Sequence, residues 1–102
     1  MSIQEKIKQQ ITENKVILYM KGNAELPMCG FSSRAVQILK SCAIPFTTID
    51  VLQDDEIRQA IKTYSNWPTI PQLYVNGEFI GGSDIMSEMF AAGELQEMLS
   101  AV

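Results

Sequence analysis

Cys29 lies in a polar stretch, Lys21-Gly22-Asn23-Ala24-Glu25-Leu26-Pro27-Met28-Cys29-Gly30-Phe31-Ser32-Ser33, between an apolar run and an amphipathic one. With a strand before it and a helix after it, the thiol would stand where the helix begins. Unpaired N–H groups and the positive end of the helix dipole favour a thiolate there. Lys21, at the end of the apolar run, would add its charge. By residue type alone a lone cysteine is more often buried and inert; its place in a polar, Gly- and Pro-containing junction argues for the reactive reading.

Two other groups could hold an anion. Gly81-Gly82-Ser83-Asp84 is a glycine-rich turn opening a helix, which offers backbone N–H groups. It is equally readable as a tight turn with an ordinary Ser or Asp cap, and it is no nucleotide fingerprint, since neither GxGxxG nor a Walker motif is present. Arg58 and Lys62 lie four apart, either on a solvated face or aimed together at an anion. Arg58 is the better candidate because its fork suits a carboxylate. Lys21, Arg58, Lys62 and the Ser83-Asp84 amides together would suit a small ligand with two carboxylates, with Asp84 meeting its ammonium group. A short peptide such as glutathione, its thiol aimed at Cys29, answers that description.

The chain holds two cysteines and no histidine, which excludes Cys–His nucleophile pairs, His-ligated zinc and His pH switches. Two thiols are too few for a Cys-only zinc or iron–sulfur site within one chain. If Cys29 and Cys42 flank one helix, they stand about 20 Å apart, far beyond the roughly 7 Å between Cα atoms that a disulfide tolerates. Unpaired thiols lead to the expectation of a reducing compartment, the cytoplasm or its equivalent. The start of the chain lacks the apolar stretch of a secretory signal, and no apolar run suits a membrane span. A net charge of −4 argues against nucleic acid as the main partner. The length of 102 residues gives one domain over 1–102 as the expectation.

The positioning elements follow from periodicity. Ser2 and Glu5 form a capping box, and Ile3, Ile7 and Ile11 make one stripe, so residues 3–13 are a helix. Val16 to Met20 is a continuous apolar run with β-branched members, a central strand covered on both faces. Ala35, Val36, Ile38, Leu39 and Cys42 form the inner face of a second helix, which assigns Cys42 to the core. Phe46 to Val51 reads as a strand, completing a parallel βαβ unit. Asp54 or Asp55 caps a third helix with Ile57, Ala60, Ile61 and Tyr64 inward. Pro71 must begin or edge the next strand, and Asn76-Gly77 between Leu73-Tyr74-Val75 and Glu78-Phe79-Ile80 is a hairpin. A fourth helix has Ile85, Met89 and Phe90 inward, Gly93 stops it, and a short last helix follows with Leu95, Met98 and Leu99 apolar. The six methionines read as core filler. The expected fold is α/β: a four-stranded mixed sheet with about five helices on both faces and its site at the strand carboxyl ends.

Over nearly its full length the sequence resembles the monothiol glutaredoxins of the CGFS type. Cys29-Gly30-Phe31-Ser32 is that signature; Lys21 with its loop, Trp67-Pro68-Thr69-Ile70-Pro71 and Gly81-Gly82-Ser83-Asp84 match in order and spacing. The resemblance implies a thioredoxin fold and work with glutathione. It implies that Lys21 and Arg58 hold the glycine carboxylate, Ile70 pairs its backbone with the cysteinyl unit, Ser83 and Asp84 bind the γ-glutamyl end, and Pro71 is cis. Some relatives carry a second cysteine at the position of Ser83, and dithiol members carry one at Ser32. This chain has neither, so a mixed disulfide at Cys29 cannot be resolved internally.

Two functions follow. In the first, two chains each give Cys29 and two glutathiones give two thiolates, the four sulfurs a 2Fe–2S cluster requires. The resemblance implies the same: a cluster-bridged homodimer that delivers clusters to iron–sulfur acceptor proteins, often with a BolA-like partner. In the second, the chain is a glutathione-dependent oxidoreductase with Cys29 as nucleophile. The residues Asn23 to Leu26 before the cysteine would hinder a second glutathione, which ranks turnover below cluster transfer. A third reading, an interaction module with an idle thiol, has no feature in its favour.

Overall fold

The computed structural model describes residues 1–102. Local signals set the elements in chain order: α1 (Ile3–Glu13), β1 (Val16–Met20), α2 (Gly30–Ser41), β2 (Thr47–Asp50), α3 (Asp55–Ser65), β3 (Gln72–Val75), β4 (Glu78–Gly81), α4 (Ser83–Ala91) and α5 (Glu94–Ser100). The Ser2/Glu5 capping box is made in full, and α1 ends at Asn14. Asp54 caps α3 through the Glu56 and Ile57 N–H groups at 3.1 and 3.2 Å. Asn76 and Gly77 both take positive φ, 51° and 82°, as a two-residue hairpin turn of the twist-matching kind demands.

The sheet order is β2-β1-β3-β4. β1 pairs parallel with β2 and antiparallel with β3, and β3 antiparallel with β4. Alternate residues of β1 serve two layers, as the period of a strand requires. Val16, Leu18 and Met20 join α2, α4 and α5 in one core. Ile17 and Tyr19 join α1 and α3 in the other. Every residue of β1 is buried, so each large apolar side chain there is worth roughly 1.5–3 kcal/mol. No helix is long and apolar enough to cross a membrane.

Four expectations are corrected. Tyr64 is not inward; it is 37% exposed and lies edge-on to buried Tyr74. Ile85 is not a core residue: with Gly82 as N-cap the helix phase turns Met86 inward, and Ile85 borders the cavity described below. Met28 is exposed, so the methionines are not all filler. Cys42 packs against the larger core but is only half-buried, because it is the C-cap of α2 and not an interior position.

Candidate functional site

Cys29 is the N-cap of α2. Its Sγ accepts the Ser32 N–H at 3.3 Å and stands 3.4 Å from the Ser32 Oγ. Ser32 is fully buried, and its Oγ also accepts the Lys21 N–H at 3.1 Å. Accepting that bond does not use the hydroxyl proton, which is free to point at a thiolate. Burial by itself would raise the Cys29 pKa. The Ser32 hydroxyl, the Ser32 and Phe31 N–H groups and the Lys21 charge outweigh it, and the thiol is held below its ordinary value.

The loop before the cysteine is closed on itself. Asn23 accepts the Glu25 and Leu26 N–H groups at 2.9 Å through its side chain, and Met28 N–H reaches the Lys21 carbonyl at 2.9 Å. Gly22 makes this closure feasible: its φ is +86°, and a Cβ there would sit 2.4 Å from the Leu26 carbonyl oxygen. Its N–H is held by the Asp50 carboxylate at 3.0 Å. Leu26, Met28 and Phe31 are left strongly exposed on this side of the thiol.

Beside the thiol opens a cavity of about 410 Å³. Lys21, Arg58, Ile70, Ser83 and Asp84 all line it, brought from the end of β1, from α3, from the loop before β3 and from the start of α4. Lys62 lines it too, so Arg58 and Lys62 both border the cavity. Cys29 does not line it. The thiol is joined to it through Ser32, which bonds Lys21, and through Phe31, which is a wall residue.

The walls hold unused donors. Arg58 Nε is buried with no hydrogen-bond partner, an arrangement native proteins avoid unless something else supplies the acceptor. At α4 the N-cap is Gly82 and no side chain caps the helix, so the Ser or Asp cap does not form. The first helical bond comes from Met86 N–H to the Gly82 carbonyl at 3.0 Å, which leaves the preceding N–H groups open. Gly82 carries little more than backbone for good reason: a Cβ there would lie 3.2 Å from the Pro71 carbonyl oxygen. The Ile70–Pro71 bond is cis, and no backbone-to-backbone bond uses the Ile70 N–H.

A helix-capping cysteine of lowered pKa beside a cavity walled by a cis-proline loop and a glycine-rich turn invites comparison with known proteins. The family profile described as Glutaredoxin matches residues 16–80. The chain is 65% identical over 94 residues to an uncharacterized monothiol glutaredoxin, ycf64-like, of Synechocystis sp., covering 92% of this chain and 88% of that protein. The chain belongs to the glutaredoxin family. It falls in the monothiol branch, in keeping with a CGFS sequence and no second thiol at the site. The solution structure of reduced poplar apo GrxS14 superposes with a TM-score of 0.85 at 46% identity, covering 98% of this chain and 92% of that one. A crystal structure of a buckwheat glutaredoxin–glutathione complex superposes at 0.86 with 25% identity, covering 97% and 88%. The fold of this glutaredoxin is thioredoxin-like.

One residue of this glutaredoxin carried no signal in the sequence beyond its polarity within an apolar strand. Gln72 is fully buried in β3, and its Nε2 donates to the Trp67 and Thr69 carbonyls, both at 3.1 Å. It therefore touches the loop that forms one wall of the cavity.

Proposed function

We propose that this monothiol glutaredoxin binds glutathione in the cavity and, as a homodimer, carries a 2Fe–2S cluster to iron–sulfur acceptor proteins. The observation that carries the reading is the half-buried Arg58 side chain, whose buried Nε has no partner within the chain, facing a cavity beside a thiol of lowered pKa. In this reading Lys21 and Arg58 take the glycine carboxylate, with Lys62 adjacent. The Ile70 backbone pairs with the cysteinyl unit. The Ser83 and Asp84 N–H groups take the γ-glutamyl carboxylate, and the Asp84 side chain its ammonium. A buckwheat relative binds glutathione as its structure is described, which supports the same ligand here.

The cluster is cargo, and the donor set fits it only if shared. The chain has no group of three or more His, Cys, Asp or Glu side chains that could hold a metal. Cys29 supplies one thiolate, a bound glutathione a second, and a second copy of the chain repeats both, giving the four sulfurs that such a cluster takes. The exposed Leu26, Met28 and Phe31 beside Cys29 suit contact between copies. A BolA-like protein is the alternative partner for the same face. Because half the ligands come from a diffusible tripeptide, release to an acceptor is easier than from a four-cysteine site.

The lowered Cys29 pKa favours a second activity, deglutathionylation. The Cys29 thiolate would attack the glutathione sulfur of a protein mixed disulfide, and the protein thiolate would leave. A second glutathione thiolate would then attack the Cys29 mixed disulfide, releasing oxidised glutathione and regenerating Cys29. The closed Asn23–Leu26 loop beside the thiol ranks this turnover second.

Anaerobic loading with iron, sulfide and glutathione separates the two. Cluster carriage gives visible charge-transfer absorption and a shift from monomer to dimer, both lost without glutathione. A colourless monomer that rapidly reduces a glutathione mixed disulfide overturns it in favour of the oxidoreductase.

A further inference from the structure

Gln72 spends both amide donors and its carbonyl oxygen on three partners. Its Nε2 holds the Trp67 and Thr69 carbonyls at 3.1 Å each, and its Oε1 accepts the Tyr74 hydroxyl at 3.1 Å. The orientation of the amide follows from those partners: two acceptors face the NH₂ and one donor faces the oxygen. Tyr74 is itself fixed, buried edge-on to Tyr19 with ring centroids 5.8 Å apart and tilted against Phe79 at 5.4 Å. Burial pushes its phenol up to about 12, so it remains a donor at any ordinary pH.

The loop that Gln72 grips has little else to define it. Pro68 and Pro71 have no N–H to give. The one backbone-to-backbone donor bond from the Trp67–Pro71 segment is Trp67 N–H to the Lys62 carbonyl at 3.1 Å. Gln72 bonds the carbonyls on either side of Pro68, immediately before Ile70. The residue that lines the cavity with an unused N–H is thus held from behind by a side chain that does not line it.

We propose that Gln72 is a positioning residue: the Tyr74–Gln72 pair sets the register at which the Ile70 backbone meets the peptide backbone of a bound thiol tripeptide. This rests on the glutathione reading above. It distinguishes ligands, because a disulfide without a peptide backbone gains nothing from the loop.

The test compares the full chain with Gln72→Leu and Tyr74→Phe, each reacted with glutathione disulfide and with hydroxyethyl disulfide, Cys29 adducts being quantified by mass spectrometry. Losing the grip on two carbonyls should cut the preference for glutathione over hydroxyethyl disulfide about tenfold in Gln72→Leu. In Tyr74→Phe, which leaves the amide in place but removes its anchor, the cut should be about threefold. The rate with hydroxyethyl disulfide should stay within about twofold of the parent in both. If Gln72→Leu does not fold, Tyr74→Phe decides alone. An unchanged preference overturns the proposal, and so does an equal loss toward both disulfides, which would place the effect at Cys29 or on the fold. A parent chain with no preference for glutathione overturns the glutathione reading itself, and this inference with it, and is seen before any variant is made.

Discussion

The two cysteines of this chain sit at opposite ends of one helix, and α2 treats them in opposite ways. Cys29 is its N-cap, where N–H groups, the Ser32 hydroxyl and Lys21 overcome partial burial and lower the thiol pKa. Cys42 is its C-cap, half-buried against the core, where burial raises the pKa, and the carbonyl end of the helix offers a thiolate no donor. Burial acts on both thiols in the same direction. What differs is whether the sequence supplies donors at that end, so reactivity here belongs to position on a helix and not to cysteine itself.

The largest way to break that contrast is to exchange the losses. Cys29→Ser should abolish the glutathione adduct and any cluster absorption, whereas Cys42→Ala should leave both intact. Cluster loss in a folded Cys42→Ala variant would show that the C-terminal end is not inert. Next in size is the pH dependence of alkylation, followed residue by residue by mass spectrometry. Thiolate is the reacting form and its fraction rises with pH, so a lowered pKa moves the Cys29 curve to lower pH and a raised one moves the Cys42 curve to higher pH. At neutral pH Cys29 should react more than about tenfold faster, and overlapping curves would erase the distinction. Arg58→Ala removes the unpartnered Nε and the charge that borders the cavity, and should weaken glutathione retention about tenfold, shortening cluster lifetime in proportion. An unchanged lifetime would take Arg58 out of the site.

A finer cut separates the helix end from its side chains. Ser32→Ala should slow Cys29 alkylation at neutral pH about threefold, leaving the backbone N–H groups and Lys21 to account for the rest. No change would assign the whole effect to the backbone. Smallest is the cost of Cys42→Ala in thermal unfolding, about 1 kcal/mol or less, since only part of that side chain leaves water on folding.

The boundaries of α1, β1 and the hairpin were legible because each is decided by neighbours in the chain. Ser2 and Glu5 cap across three residues, Val16 to Met20 is apolar without interruption, and Asn76-Gly77 alone can take the positive φ pair its turn needs. Ile85 departs from expectation for a complementary reason. Helical spacing names a stripe but not its rotation about the axis, and the N-cap at Gly82 turned α4 so that Met86 points inward. Gln72 was invisible as anything but a polar residue in an apolar strand, since its partners at Trp67, Thr69 and Tyr74 take meaning only once the loop has folded back.

By itself, then, the sequence determined which thiol stands at a helix start, the order of helices and strands, and the charged residue types available to a site. Those depend on interactions within one turn or one strand. Only the tertiary structure decided that Lys21, Arg58, Lys62, Ile70, Ser83 and Asp84 share one cavity, that Arg58 is left with an unanswered donor, and that Gln72 braces the cavity's wall. Those facts depend on contacts between segments tens of residues apart, whose relative placement is fixed by packing two cores against one twisted sheet.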